Sequence, residues 1–243
     1  MTGRILTIDA GNTTVHFGLF EGKRLVKDWR IGTDRLSEYL PAGRHGQNIR
    51  KVVVASVVPA AGKILRKQFP QAVFVNRQNV PLKVRVKNPA EVGADRLVDA
   101  LAAYKLYGGP AIIVDFGTAT TFDVITARGE YLGGAIAPGI LLARDTLHER
   151  TAKLPRIELK APKSVIGRDT IEAMRSGLVF GYVGMVEGMV RRIKEKVKSK
   201  KVKVIATGGL AKLICKYTDI VDIIDDKLTL KGLRLIAELS SKK

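Results

Sequence analysis

Two short stretches carry the residue types that hold phosphate groups. Asp9-Ala10-Gly11-Asn12-Thr13-Thr14 and Asp115-Phe116-Gly117-Thr118-Ala119-Thr120-Thr121 each set an aspartate, a glycine two positions later, and amide or hydroxyl side chains before a β-rich run. Glycine-rich phosphate loops usually lead into a helix whose N-terminus holds the anion. Both of these lead into a strand instead, and neither the P-loop nor the dinucleotide fingerprint is present. A strand hairpin can still present backbone amides and hydroxyls as an anion-binding concavity. Asn12, Thr13 and Thr14 supply such groups in the first turn, and Thr118, Thr120 and Thr121 in the second. One Asp-x-Gly turn is ordinary punctuation, but two in matching contexts point to a repeated phosphate site. A third element is the apolar run Val204 to Thr207 followed by Gly208, Gly209 and Leu210, where the glycines let a flat ligand approach the backbone closely.

The surrounding pattern predicts the elements that position these turns. Arg4 to Ile8, Thr13 to Phe20 and Arg24 to Ile31 read as a three-stranded meander, after which Thr33 and Asp34 can cap a short helix. A buried strand at Lys51 to Ala55, a helix from Pro59, and a strand at Ala72 to Val75 follow. After Gly93, the positions Leu97, Val98, Leu101, Ala102, Tyr104 and Leu106 describe an amphipathic helix that Gly108 and Gly109 end. The opening pattern then returns: a strand at Ala111 to Val114, the FGTA turn, a strand at Thr120 to Ile125, and a third short strand. The offset from Asp9 to Asp115 is 106 residues, which marks an internal duplication. A helix near Ile140 to Thr151, a long helix from about Asp169 to Val197, and a strand, helix, strand and helix from Val202 complete the chain. The class is α/β with two similar halves, 1–108 and 109–243.

Composition narrows the function classes. At 243 residues, 46% hydrophobic and 27% charged, the chain can bury a substantial core. Its single cysteine, Cys215, excludes an intrachain disulfide, no run reaches the ~18 apolar residues of a membrane span, and no secretory leader precedes Asp9, so a cytoplasmic setting without membrane contact is expected. With 42 basic and 23 acidic residues the net charge is +19, which raises the prospect of a polyanionic partner. Eight of the basic residues fall in Arg191 to Lys203 with one acid, which reads as a solvated connection and makes nucleic acid an unexpected partner. His16, His45 and His148 are scattered rather than spaced as metal ligands, so no structural metal is expected. Trp29 and Cys215 read as packing residues.

In the order DAGNT, DFGTATT, ATGGL, the three elements resemble the phosphate-1, phosphate-2 and adenosine motifs of the superfamily of actin, heat-shock chaperones, acetate kinase and sugar kinases. The resemblance implies two duplicated ribonuclease-H-like halves with an ATP cleft between them. A closer likeness lies in NPAEVGADR at Asn88 to Arg96, GGAIAPG at Gly133 to Gly139 and IGRDT at Ile166 to Thr170, which together resemble type III pantothenate kinase almost end to end.

That resemblance implies an enzyme that phosphorylates pantothenate to 4′-phosphopantothenate with ATP, the first step of coenzyme A biosynthesis. Asp95 corresponds to the proton acceptor for the pantothenate hydroxyl. Its place in the first turn of a predicted helix favours its ionised form, and phosphoryl transfer through a loose transition state asks more of positioning than of a strong base. Gly93, Ala94, Asp95 and Arg96 would line the pantothenate pocket together with Thr170. The ATP-binding stretch corresponds to Asp9, Ala10, Gly11, Asn12, Thr13, Thr14, Val15 and His16, with Thr118 as a further contact. Asp9 would orient Mg²⁺ through water, and Asp115 would hold a monovalent cation, K⁺ or NH₄⁺. Gly133 to Gly139 would shape a pocket wall or form a turn before a helix. Two departures stand out: Val86 replaces an aromatic residue found in several relatives near the pocket, and Asp169 replaces an asparagine and can cap the long helix. Gly177, Gly181, Gly184 and Gly188 form one stripe along that helix, suited either to a helix of the same chain or to a two-fold-related copy; the resemblance implies a homodimer. Two rival functions remain open on sequence: a nucleic-acid-associated transcriptional accessory factor, and a kinase of the same fold with another hydroxyl acceptor.

Overall fold

The structure is a computed structural model and describes residues 3–39, 48–197, 199 and 201–240; His45, Lys198 and Lys200 lie outside them. The chain divides into two compact units, Met1–Tyr107 with Lys227–Lys243, and Gly108–Asp226.

The first unit begins with the expected meander: β1 (Arg4–Ala10), β2 (Thr14–Glu21) and β3 (Arg24–Gly32) are antiparallel neighbours. A single 3-10 turn (Thr33–Arg35) and the four-residue α1 (Leu36–Tyr39) follow. No side chain caps that turn, which corrects the capping role expected for Thr33 and Asp34. Then come β4 (Ile49–Ser56), α2 (Pro59–Gln68), β5 (Val73–Phe74), the two-residue β6 (Lys83–Val84), and α3 (Ala94–Tyr107). Pro59 starts α2 because its fixed φ suits a first helical turn and its missing N–H is an orphan there anyway. β4 runs parallel to both β1 and β5, giving the sheet order β3-β2-β1-β4-β5. One face buries Leu6, Ile8, Val15 and Phe17 against Leu36, Ala61 and Leu65, each such side chain contributing about 1.5–3 kcal/mol. Phe17 stacks on Trp29 at 5.1 Å, the packing role read from the sequence.

The second unit repeats this plan. β7 (Ala111–Phe116), β8 (Ala119–Ile125) and β9 (Glu130–Pro138) form the meander, followed by α4 (Ile140–Glu149), the 28-residue α5 (Thr170–Val197), β10 (Lys203–Thr207), α6 (Ala211–Cys215) and β11 (Ile223–Ile224). Its five strands run β9-β8-β7-β10-β11, with β7, β10 and β11 parallel. Both units therefore share one strand order and one set of directions, as the duplicated motifs predicted. α5 buries Leu178, Val179, Val183, Val186 and Val190 against Ile112, Val114 and Phe122.

The final helix α7 (Leu228–Leu239) belongs to the first unit, so the expected second half, 109–243, loses its last 17 residues to the first. The reason is packing. Gly232 brings α7 onto Val98 and Ala102 of α3, Leu230 fills the space that Gly18 leaves on β2, and the Lys51 Nζ donates to the Ala237 carbonyl at 2.8 Å.

Candidate active site

In open sheets with parallel strands, ligands collect beyond the carboxyl ends of those strands. Both Asp-x-Gly turns lie there. Asp9 is the penultimate residue of β1, in register with Ala55 at the end of β4, and Asp115 occupies the same place on β7, in register with Thr207 at the end of β10. Asp9 pairs with His16 across the first hairpin and Asp115 with Thr121 across the second. Ala10 opposite Val15 and Phe116 opposite Thr120 close the two turns, so the first is one residue longer, 11–14 against 117–119. Each turn is braced by the glycine N–H: Gly11 donates to the Thr14 carbonyl at 3.0 Å, and Gly117 to that of Ala119 at 3.1 Å.

In the first turn Asn12, Thr13 and Thr14 are exposed, while the side chains of Ala10 and Val15 lie in the core and leave only their backbones to a ligand. His16 is buried, and its ring is engaged elsewhere: Nε2 lies 2.8 Å from Asp28 Oδ2, and Nδ1 faces the Arg30 guanidinium at 3.4 Å. A guanidinium can only donate, so Nδ1 accepts and Nε2 carries the proton towards Asp28. Burial pushes the imidazole pKa below its ordinary 6.5, with Arg30 and Lys227 adding to the shift, which keeps the ring neutral. Asp28 also accepts from Lys227 at 2.5 Å; burial opposes its ionisation, but the Lys227 and His16 hydrogen bonds outweigh that and hold the carboxyl below 3.8.

Asp95 sits in the first turn of α3, half-buried, and its Oδ1 accepts the Arg96 N–H at 2.8 Å. The helix N-terminus favours its carboxylate, an effect typically worth about 0.3–1 kcal/mol. The carboxylate folds back so closely that a Cβ on Gly93 would lie 2.5 Å from Oδ1 and 3.6 Å from Val57 Cγ1. Val57 in turn donates its N–H to the Ala10 carbonyl at 3.2 Å. Val57 thus links the Gly93–Arg96 segment to the strand end that carries Asp9.

The second unit brings Asp115, Thr118, Gly139 and Gly208 together. Gly208 has φ +89, and a Cβ there would collide with Asp115 Oδ1 and the Phe116 backbone. Gly139 donates to the Thr118 carbonyl at 3.1 Å, and its own Cβ would overlap the carbonyls of Gly117 and Thr118. The GGAIAPG stretch is therefore mostly strand β9, with only its last glycine outside, and that glycine packs on the turn. Tyr182 of α5 donates to the Pro138 carbonyl at 2.8 Å and holds the end of β9 there.

Thr170 opens α5 and is exposed; among the described residues no hydrogen bond joins it to the Asp115 turn. Asp169 precedes it as a cap: its Oδ1 accepts the Glu172 N–H at 2.8 Å, and Glu172 Oε2 accepts the Arg168 N–H at 2.9 Å. This reciprocal arrangement resembles a capping box. Cys215 is half-buried on α6 and its thiol is pushed up to about 11 by burial, in keeping with packing rather than nucleophilic work. Among the described residues no cluster of three or more His, Cys, Asp or Glu could hold a metal, and no helix is long and apolar enough to cross a membrane.

A sequence profile of type III pantothenate kinase matches residues 5–192. A type III pantothenate kinase of Moorella thermoacetica is 45% identical over 96% of this chain and 98% of its own length. The chain belongs to the type III pantothenate kinase family. Its mixed sheets also match solved structures of the wider fold. A protein described as a Baf family transcriptional activator from Campylobacter jejuni superposes with a TM-score of 0.68 at 20% identity, over 98% of this chain and all of that one. MreB 5 of Spiroplasma citri, solved with AMPPNP, gives 0.56 at 10% identity over all of this chain and 98% of its own. At such identities these two likenesses speak for the fold alone, which is the actin-like ATPase fold expected from the motifs.

One residue beside the family's motifs escaped the sequence reading. Thr33, just past β3, donates its N–H to the Thr13 carbonyl at 3.1 Å and its hydroxyl to the Gly11 carbonyl at 2.7 Å. Its only sequence signal was a hydroxyl before a helix, which reads as a cap.

Proposed function

We propose that this chain transfers the γ-phosphoryl group of ATP to the 4′-hydroxyl of pantothenate, giving 4′-phosphopantothenate and ADP for coenzyme A synthesis. Family membership supports substrate and reaction, and the observation that carries the site is the Asp95 carboxylate, held at the head of α3 beside the strand end that bears Asp9. In this reading the pantothenate oxygen bonds to the γ-phosphorus as the bond to the β–γ bridging oxygen breaks, and Asp95 takes the hydroxyl proton. Arg96 offers a planar fork to carbonyl or carboxylate oxygens of the acceptor, and Gly93, Ala94 and Thr170 complete its pocket. The residues from Asp9 to His16, with Thr118, bind ATP through exposed amides and hydroxyls, Ala10, Val15 and His16 through their backbones.

Mg²⁺ accompanies ATP, and the donors suit it: magnesium takes one or two carboxylates beside substrate phosphates, and the half-buried Asp9 beside an exposed turn offers one. Bound there, it would neutralise phosphate charge. Asp115 is proposed to hold K⁺ or NH₄⁺; Gly117 and Gly208 pack close to its carboxylate, where a Cβ on Gly208 would collide with Oδ1. The second unit's exposed glycine stripe supports a homodimer. A Cβ at Gly177, Gly181 or Gly184 would meet nothing within 4 Å, so among the described residues no other helix packs on that face. We place the enzyme in the cytoplasm.

The test is coupled ADP release with ATP, Mg²⁺ and pantothenate, with K⁺, NH₄⁺ or Na⁺ as the sole monovalent cation. Pantothenate-dependent release, faster in K⁺ or NH₄⁺ than in Na⁺, is expected. Release independent of pantothenate would overturn the acceptor, and equal rates in all three salts would overturn the role of Asp115.

A further inference from the structure

The duplication allows the two phosphate turns to be compared as alternative solutions to one problem. In each unit the residue directly after the third strand of the meander donates its backbone N–H to the carbonyl of the residue directly before the second strand. Thr33 follows β3 and bonds to Thr13; Gly139 follows β9 and bonds to Thr118; both distances are 3.1 Å. This shared bond pins the far side of each turn. The near sides differ. The second turn has three residues, and the pinning residue must be glycine because a Cβ would overlap the Gly117 and Thr118 carbonyls. The first turn has four residues, so one carbonyl more must be directed. The pinning residue there carries a hydroxyl, and that hydroxyl takes up the Gly11 carbonyl at 2.7 Å.

We infer that Thr33 is a positioning residue for ATP: by drawing the carbonyls of Gly11 and Thr13 to one side, it holds the longer turn with its exposed Asn12 to Thr14 segment in the conformation that receives phosphate oxygens. Carbonyl oxygens left free to swing towards that segment would repel the phosphates and remove its pre-organisation. The bond acts through the turn and touches no reacting atom, so its effect falls on nucleotide affinity rather than on the acceptor. The inference rests on the assignment of this turn to ATP.

The experiment compares Thr33→Val, which keeps the shape and the backbone bond but loses the hydroxyl, with Thr33→Ser, which keeps the hydroxyl. Mg-ATP affinity is measured by calorimetry without pantothenate, and the KM of each substrate by ADP release. Thr33→Val should weaken ATP binding and raise the ATP KM about tenfold, with the pantothenate KM within twofold of the parent. Thr33→Ser should return the ATP values to within about threefold. An unchanged ATP affinity in Thr33→Val, a failure of Ser to restore it, or an equal rise in both KM values accompanied by a fall in thermal midpoint would overturn the inference. ATP calorimetry decides this even if pantothenate proves not to be the acceptor, so the two readings fail separately; a parent chain that does not bind Mg-ATP overturns this one.

Discussion

Gly93→Ala offers a way to displace the proposed base without touching it. The added Cβ would lie 2.5 Å from Asp95 Oδ1, whereas ordinary contact begins near 3.4 Å, so the carboxylate must retreat by about 0.9 Å or rotate. Gly93 does not have a positive φ, so alanine brings no backbone strain, and Val57 Cγ1 at 3.6 Å is already at contact distance. The obstructing atom is the end of a flexible side chain, and folding should change by less than about 1 kcal/mol. Catalysis is less tolerant: a misplacement of about 1 Å can cost on the order of 100-fold in rate. The expected result is a kcat about 100-fold below the parent in ADP release, with the ATP dissociation constant within threefold and the urea midpoint nearly unchanged. A kcat within threefold of the parent would refute the claim that the orientation of Asp95 at the head of α3 governs the reaction. A matching collapse of stability would refute the packing argument.

Other perturbations separate structural from chemical roles. Asp169→Ala removes the cap of α5 and should cost about 1 kcal/mol in urea unfolding with the pantothenate KM unchanged; a raised KM at unchanged stability would make Asp169 a substrate residue instead. Acid should weaken the chain in two stages. His16 is held below 6.5 in the folded state, so its contribution is complete above pH 6.5 and is lost as the pH falls from there towards its folded value, because the unfolded chain takes up the proton first. Asp28, held below 3.8, contributes above that pH and its share is lost on further acidification. Urea titrations from pH 8 to 4 should show the first stage in the parent and not in His16→Gln; an identical pH profile in both would remove His16 from the account.

Much of this was legible because periodicity and punctuation agreed. The positions of β1, β2, α2, α3 and α5 follow from apolar spacing, with Pro59 as a start and Gly108 as a stop, and the repeated Asp-x-Gly turn marked the doubling. What remained hidden depends on contacts distant in sequence. The place of α7 could not be read from its own residues, since it is set by Gly18 on β2 and by Val98 and Ala102 on α3, more than 120 residues away. GGAIAPG reads as a turn because three glycines and a proline usually punctuate. It forms an edge of the meander because Gly134 lets β9 close on the Phe122 backbone and Gly139 lets it meet the Thr118 turn. His16 lay within the ATP stretch by position, yet its alternation along β2 sends the ring to Asp28, and only the pairing of β2 with β3 reveals that.

The duplicated turns have diverged in a direction that chemistry explains. The shorter turn in the second unit is enclosed by glycines at 139 and 208, each so close that no side chain fits, with Gly139 against the Gly117 and Thr118 carbonyls and Gly208 against the Asp115 carboxylate. That enclosure accords with the cation we propose at Asp115. The longer turn in the first unit is open, carries exposed amide and hydroxyl groups, and is secured by a hydroxyl rather than by close packing. That arrangement suits an anion with many acceptor oxygens. Exchanging the pinning residues should therefore fail in both directions: threonine at 139 has no room beside Thr118, and glycine at 33 leaves the Gly11 carbonyl without its hydroxyl. Gly139→Thr should then destabilise the chain, while Thr33→Gly should chiefly weaken ATP binding, so the same exchange would be read out as stability in one unit and as affinity in the other.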